Sequence, residues 1–201
     1  MCWSAEVSLQ TFIFGVVCAF IVYALNVVPL HIIIIFLSFT SIQLLEYFTW
    51  IYIDDDKKNK ILSYIGSFLV LTQVFLINYL LPNKKNSQLL LISFSIFLIL
   101  FILIELKNVK FKMTKGENGH LIWHWLDIPF IWIFIILLFY VMPSIINKTY
   151  ISFLFISISS IISLYYYYKY KTWGTMWCYI SNVTWIFFII KSIIIKLNIY
   201  I

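Results

Sequence analysis

The sequence predicts an all-α integral membrane protein, a bundle of seven transmembrane helices that forms one domain over residues 1–201. Hydrophobic residues make up 63% of the chain and charged residues 11%, whereas about a quarter of an ordinary soluble domain is charged. The apolar residues fall in long blocks separated by short polar loops, which is typical of multi-pass membrane proteins. Because so few polar residues remain to cover a core, we exclude a soluble protein.

Seven apolar blocks are each near the ~20 residues that cross ~30 Å of hydrocarbon. The blocks are continuously apolar and do not alternate with polar residues, which favours helices over a barrel. Pro29 separates the first two blocks and Pro82 follows the third, as expected of residues that interrupt helices. The predicted spans are 8–27, 31–53, 61–81, 87–106, 126–146, 150–170 and 175–197.

The lysines predict the orientation of these spans. Seven crossings place the termini on opposite sides of the membrane, which we name the N-terminal side and the opposite side. Nine lysines fall in loops on the N-terminal side and five on the opposite side, so the positive-inside rule places the N-terminus in the cytosol. These lysines, which set the orientation in the membrane, account for the net charge of +6. The lipid bilayer is the predicted partner and nucleic acid is not; the oligomeric state stays open.

The second span contains a carboxylate, Glu46, with an amide, Gln43, one turn earlier on the same helix face. A charged residue near the middle of a spanning helix costs roughly 2.5–3.5 kcal/mol on insertion scales, so it normally faces a protein interior. One interpretation is hydrogen bonding to Ser181 or Asn182 at similar depth in the last span. The other is a carboxylate that accepts a proton or binds a cation, as in a small transporter or channel.

Four segments with polar residues reach the N-terminal side of the predicted bundle. They are the N-terminus, the second span, the entry to the fifth span and the start of the last span. We expect their polar side chains to form one site at this mouth. The candidate residues are Cys2, Ser4, Gln43, Glu46, Asp127, Trp177, Ser181 and Asn182.

Two histidines before the fifth span suggest a metal site. His120 and His124 are four residues apart, so on a helix they would share one face and suit two ligands of one metal ion. Cys2 and Cys178, or Glu46, would complete a coordination set for zinc or copper. The chain has no CxxC or HExxH motif to support a metal site. The alternative interpretation is that the histidines cap a helix or lie with neighbouring tryptophans at the headgroup level.

Three polar residues inside the other spans have weaker interpretations. Lys191 would suit a retinal Schiff base, but no counter-ion arrangement is recognisable, and its side chain can extend toward the opposite side. Retinal is therefore not favoured. Gln73 and Asn78 in the third span would extend a polar track from Glu46 toward the opposite side.

Several short motifs resemble a family of small uncharacterised multi-pass membrane proteins that begin with Met-Cys-Trp-Ser. The N-terminus is Met1-Cys2-Trp3-Ser4, and similar patterns are Gln43-Leu44-Leu45-Glu46, Gly119-His120-Leu121-Ile122-Trp123 and Trp177-Cys178. The family occurs in bacteria, some eukaryotes and large DNA viruses. The resemblance implies a multi-pass membrane protein, and a viral member would lie in a host or virion membrane. It implies no particular activity.

Three functions follow from these observations. The first is binding of a polar ligand or a metal at the N-terminal mouth without catalysis. The second is a membrane-embedded metal-dependent hydrolase, and the third is a transporter or channel that uses Glu46. The sequence leaves open whether the protein is an enzyme.

Overall fold

The structure, a computed structural model, describes residues 3–197, apart from the side chain of Ser181. The described part of the chain is mainly helical, as the sequence predicts, with two short strands between α4 and α5. The helices are α1 (Ala5–Leu25), α2 (Leu30–Ile51), α3 (Asp56–Tyr79), α4 (Lys84–Ile104), α5 (Phe130–Ile146), α6 (Tyr150–Tyr167), α7 (Trp173–Ser181) and α8 (Val183–Lys196). The strands are β1 (Met113–Lys115) and β2 (Leu121–Trp123).

Six helical segments within the described residues are long and apolar enough to cross a bilayer. They are α1, α2, α3, α4, α6 and the segment Trp173–Lys196, which contains α7 and α8. α5 is apolar but shorter, with 17 residues, which span about 25 Å. It begins at Phe130 and not at residue 126, because Asp127 to Pro129 are non-helical and proline cannot donate a helical hydrogen bond.

Local signals explain where the helices begin. The Ser4 hydroxyl accepts a hydrogen bond from the Val7 N–H at the start of α1, at 3.3 Å. The Asp55 carboxylate does the same for the Lys58 N–H at the start of α3, at 3.0 Å, and this hydrogen bond lowers the pKa of Asp55. Such caps satisfy N–H groups that have no partner inside the helix.

α2 lies at the centre of the bundle. It packs against α1 on one side and α3 on the other, and it also contacts α7. The outside of the bundle is apolar too: Phe20, Phe68 and Leu103 are 69%, 67% and 73% exposed. An apolar outer surface around a core that holds polar groups is the arrangement that suits surrounding lipid.

The connection between α4 and α5 folds into a β-hairpin that the sequence did not predict. β1 and β2 pair antiparallel, with Met113 opposite Trp123, and Gly119 in the turn has a φ of +81°, which glycine adopts readily. Met113 and Leu121 are 0% exposed, so the hairpin is inserted among the helices. With three residues each, the strands are too short to show a periodic pattern.

Candidate functional site

Asn59, near the start of α3, holds the hairpin at the N-terminal mouth of the bundle. Its side-chain amide donates to the Met113 carbonyl and its side-chain carbonyl accepts from the Met113 N–H, both at 2.8 Å. The amide also donates to the Ile53 carbonyl at 3.1 Å. One wholly buried side chain therefore pairs with the backbone of β1 in the way that a neighbouring strand would.

α7 and the residue before it hold the other strand. The Thr175 hydroxyl donates to the Leu121 carbonyl at 2.9 Å, and the Asn118 amide donates to the Thr172 hydroxyl at 2.9 Å. Gly174 allows close packing, since a Cβ there would lie 3.0 Å from the Trp123 ring. Together with Asn59, these contacts attach the hairpin to both α3 and α7, so that it closes the mouth of the bundle.

The polar residues of α2 lie inside the bundle on this side. Glu46 and Gln43 are both 0% exposed. The Thr49 hydroxyl, one turn nearer the mouth, lies 3.7 Å from the Met113 sulfur, which links this part of α2 to the hairpin. The Cys178 thiol on α7 is also buried. The structure therefore places Glu46 and Gln43 on one buried face of α2, close to the hairpin.

Asn182, the residue that follows α7, contacts α2 at Thr40, farther along α2 than Glu46. The Thr40 hydroxyl is 3.2 Å from the Asn182 side-chain carbonyl and accepts a hydrogen bond from the Trp185 indole at 3.0 Å. Gly15 on α1 makes room for this group, since a Cβ there would lie 2.6 Å from the Thr40 methyl. Thr40 is six residues from Glu46, or about 9 Å along the helix. Asn182 therefore connects α2 with the junction of α7 and α8, and its side chain contacts Thr40 and not Glu46.

The prediction that His120 and His124 share one helical face is wrong, because strand β2 separates them. His120 packs against the rings of Trp3 and Tyr167, with centroid distances of 6.1 and 5.6 Å. His124 has its Nε2 2.9 Å from the Thr114 hydroxyl, within the hairpin. Burial lowers the pKa of His120 to about 4 and also lowers that of His124, so His120 is neutral at physiological pH.

A metal centre is not formed by the part of the chain that the structure describes. Over residues 3–197, no group of three or more His, Cys, Asp and Glu side chains is placed to hold an ion. Cys2, a predicted ligand and site residue, lies outside the described residues. Cys178 is buried on α7, while the His124 ring is bonded to Thr114 within the hairpin.

The remaining predicted site residues have structural contacts of their own. Ser4 caps α1. Asp127 is exposed and forms an ion pair with Lys171 at 2.7 Å on the surface. The Trp177 indole is buried and donates to the Ser159 hydroxyl on α6 at 3.1 Å. Ser4 and Asp127 thus lie at the periphery of the mouth.

Three aromatic rings form a layer across the middle of the bundle. The centroids of Phe39, Tyr140 and Trp177 lie 4.7–6.0 Å from one another. The Tyr140 hydroxyl donates to the Gln73 side-chain carbonyl at 3.0 Å. Phe39 lies on α2 seven residues from Glu46, so this aromatic layer is about 10 Å farther from the closed mouth.

The polar residues of α3 fasten helices together. The Gln73 amide donates to the Ser38 carbonyl on α2, and the Asn78 amide donates to the Phe139 carbonyl on α5, each at 3.1 Å. Both side chains therefore bind backbone groups of neighbouring helices. This arrangement does not favour the predicted polar track toward the opposite side.

Comparison of the chain with protein-family models, curated proteins and solved structures finds no match in any of the three. The resemblance to the family that begins with Met-Cys-Trp-Ser therefore stays a prediction. The proposals below depend on the structure and its physical chemistry alone.

Proposed function

We propose that the protein is an integral membrane protein that crosses the bilayer seven times and binds a small cationic ligand, in the simplest case a proton, at Glu46. The burial of this carboxylate beneath the hairpin is the observation that carries the proposal. Gln43, one turn away on the same face of α2, adds a polar group beside it.

Six long helical segments, together with the shorter apolar helix α5, support the proposed seven crossings. A helix of about 25 Å is somewhat shorter than the ~30 Å hydrocarbon core, and membranes adapt to such a difference by local thinning at modest cost. The hairpin at the start of α5 and the turn before α6 then lie on opposite sides. The excess of lysines on the N-terminal side supports a cytosolic N-terminus. Placement in a host or virion membrane is supported only by the Met-Cys-Trp-Ser resemblance.

The chemistry of a buried acid supports the binding of a cation or proton. Moving a carboxylate from water into a protein interior costs several kcal/mol, and this cost is offset by a proton, a cation or hydrogen bonds. The Gln43 amide supplies both a donor and an acceptor on the same face of α2. The hairpin keeps bulk water away, which strengthens every electrostatic interaction at Glu46.

The structure favours this binding site over the two alternatives. A metal-dependent hydrolase needs several ligands around one ion, and residues 3–197 provide no such cluster. A transporter needs a continuous route, whereas the aromatic layer lies between Glu46 and the opposite side, and Gln73 is bound to the Ser38 backbone. A site that the hairpin covers on one side and the aromatic layer on the other fits both observations.

Infrared difference spectroscopy of the protein in liposomes tests the proposal. We expect a change of pH to alter the carbonyl-stretch band of one protonated carboxyl group in an apolar environment. Glu46→Gln should remove this band completely, because the amide has the same shape but no proton to exchange. Replacing sodium with choline in the buffer shows whether a metal cation or only a proton alters the band.

Glu105→Gln is the matched control, since Glu105 lies at the end of α4 outside the bundle interior, where it accepts from the Trp132 indole. This variant should keep the Glu46 band. Identical difference spectra for the unmodified protein and Glu46→Gln, over all pH values and both salts, would contradict the proposal.

A further inference from the structure

We propose that a cavity on the opposite side of the bundle binds one acyl chain of an anionic phospholipid, whose headgroup lies at Lys191 and His31. This site is separate from Glu46 and does not depend on the function proposed there. The aromatic layer of Phe39, Tyr140 and Trp177 closes its inner end.

The dimensions of the cavity suit a lipid chain. Its volume is about 510 Å³, within the ~300–1,000 Å³ typical of small-molecule sites. It extends from the aromatic layer to the loops that contain Pro29 and Pro82, at the ends of α2 and α3. The cavity therefore runs from the middle of the bundle to one membrane surface, which is the depth of one leaflet.

α6 and α8 diverge toward the opposite side of the bundle. In the described chain α8 packs against α1 and α7, whereas α6 packs against α5 and α7. Phe155 on α6 and Phe187 on α8 both line the space between them. A lipid chain can therefore enter from the bilayer without passing through water.

The walls select an apolar chain. Most of the lining residues are apolar, and the polar groups at the inner end already have partners within the protein. The Trp177 indole donates to Ser159, and the Tyr140 hydroxyl donates to Gln73. A polar ligand would find few available hydrogen bonds at that depth, whereas an acyl chain needs none.

The outer end selects a negative headgroup. Lys191 is exposed on α8, and His31 lies in the first turn of α2; both line the cavity near the membrane surface. The described residues that line the cavity include no Asp or Glu. A positive charge at the mouth of a pocket attracts an anionic headgroup in either leaflet by the same Coulomb interaction, and the flexible lysine side chain can follow a headgroup at the interface.

Native mass spectrometry of the protein released from nanodiscs tests this site. The nanodiscs contain equal amounts of phosphatidylglycerol and phosphatidylcholine with the same acyl chains. We expect the unmodified protein to retain one phosphatidylglycerol molecule. Lys191→Glu should lower the ratio of retained phosphatidylglycerol to phosphatidylcholine by roughly tenfold, while Lys196→Glu should leave it unchanged, because Lys196 is on the same helix but outside the cavity.

A second measurement locates the chain inside the cavity. Phosphatidylglycerol with brominated acyl chains should quench the fluorescence of Trp177, and this part of the quenching should be absent in Trp177→Phe. Retention of no lipid, equal effects of Lys191→Glu and Lys196→Glu, or quenching that is the same with and without Trp177 would each overturn the proposal.

Discussion

Asn59→Ala is expected to release the hairpin from the mouth of the bundle and to lower the free energy of unfolding by about 3–5 kcal/mol. The substitution removes three hydrogen bonds of a wholly buried side chain. It leaves the Met113 N–H and two carbonyl groups without their partner, and each buried backbone group without a partner costs about 1–3 kcal/mol. Hydrogen exchange of residues 112–124, together with thermal unfolding in detergent micelles, measures both effects.

Two further variants make this result specific. Asn59→Asp keeps an acceptor for the Met113 N–H but loses both donated hydrogen bonds, so we expect faster exchange in the hairpin here as well. Asn108→Ala removes only an exposed hydrogen bond to Glu105 and should change stability by less than about 0.5 kcal/mol. Unchanged hydrogen exchange of the hairpin in Asn59→Ala would show that Asn59 does not hold it.

Acidification is expected to destabilise the protein through His120. The pKa of this imidazole is about 4 in the folded protein, where burial disfavours its charged form, against 6.5 in the unfolded chain. Between these values the unfolded chain binds more protons, so stability is complete above pH 6.5 and decreases as the pH falls toward 4. The full shift would correspond to roughly 3 kcal/mol, and solvent screening of the partly buried ring reduces the expected loss to about 1–2 kcal/mol.

Unfolding measured in micelles between pH 7.5 and pH 4 checks this contribution. His120→Gln removes the imidazole, so the difference in stability between this variant and the unmodified protein should shrink by about 1–2 kcal/mol across the range. His31→Gln, at the other end of the bundle, is the matched control. If His120→Gln and the unmodified protein lose stability in parallel, His120 is not the group that titrates.

The sequence predicts the helices well because each apolar block is long enough to be recognised without knowledge of its neighbours. It does not predict the tight turn at Asn182, where the last span passes from α7 to α8 with helical backbone dihedrals. Nor does it predict the contact of Asn182 with Thr40, 142 residues away in the chain. Nor does it predict the start of α5, which is displaced by the hairpin before it.

The candidate site is only partly predictable for the same physical reason. Glu46 and Gln43 stand out, because polar side chains in an apolar block must face the protein interior. Asn59 does not, since an asparagine among lysines at the end of a span resembles an ordinary loop residue. The role of Asn59 follows from its hydrogen bonds to the Met113 backbone, which only the structure shows. The spacing of His120 and His124 does not predict their positions, because a separation of four residues places side chains on one face only in a helix, and β2 lies between them.

Cysteine labelling at the two ends of α5 tests most directly whether the bundle spans the membrane with the hairpin closing one mouth. Glu117→Cys in the hairpin turn and Lys148→Cys after α5 would be made after Cys2, Cys18 and Cys178 have been replaced by serine. A membrane-impermeant maleimide applied to sealed vesicles should label Glu117→Cys from the same side as Asp54→Cys, and Lys148→Cys from the same side as Lys85→Cys. Labelling of Glu117→Cys and Lys148→Cys from one and the same side would contradict the seven crossings.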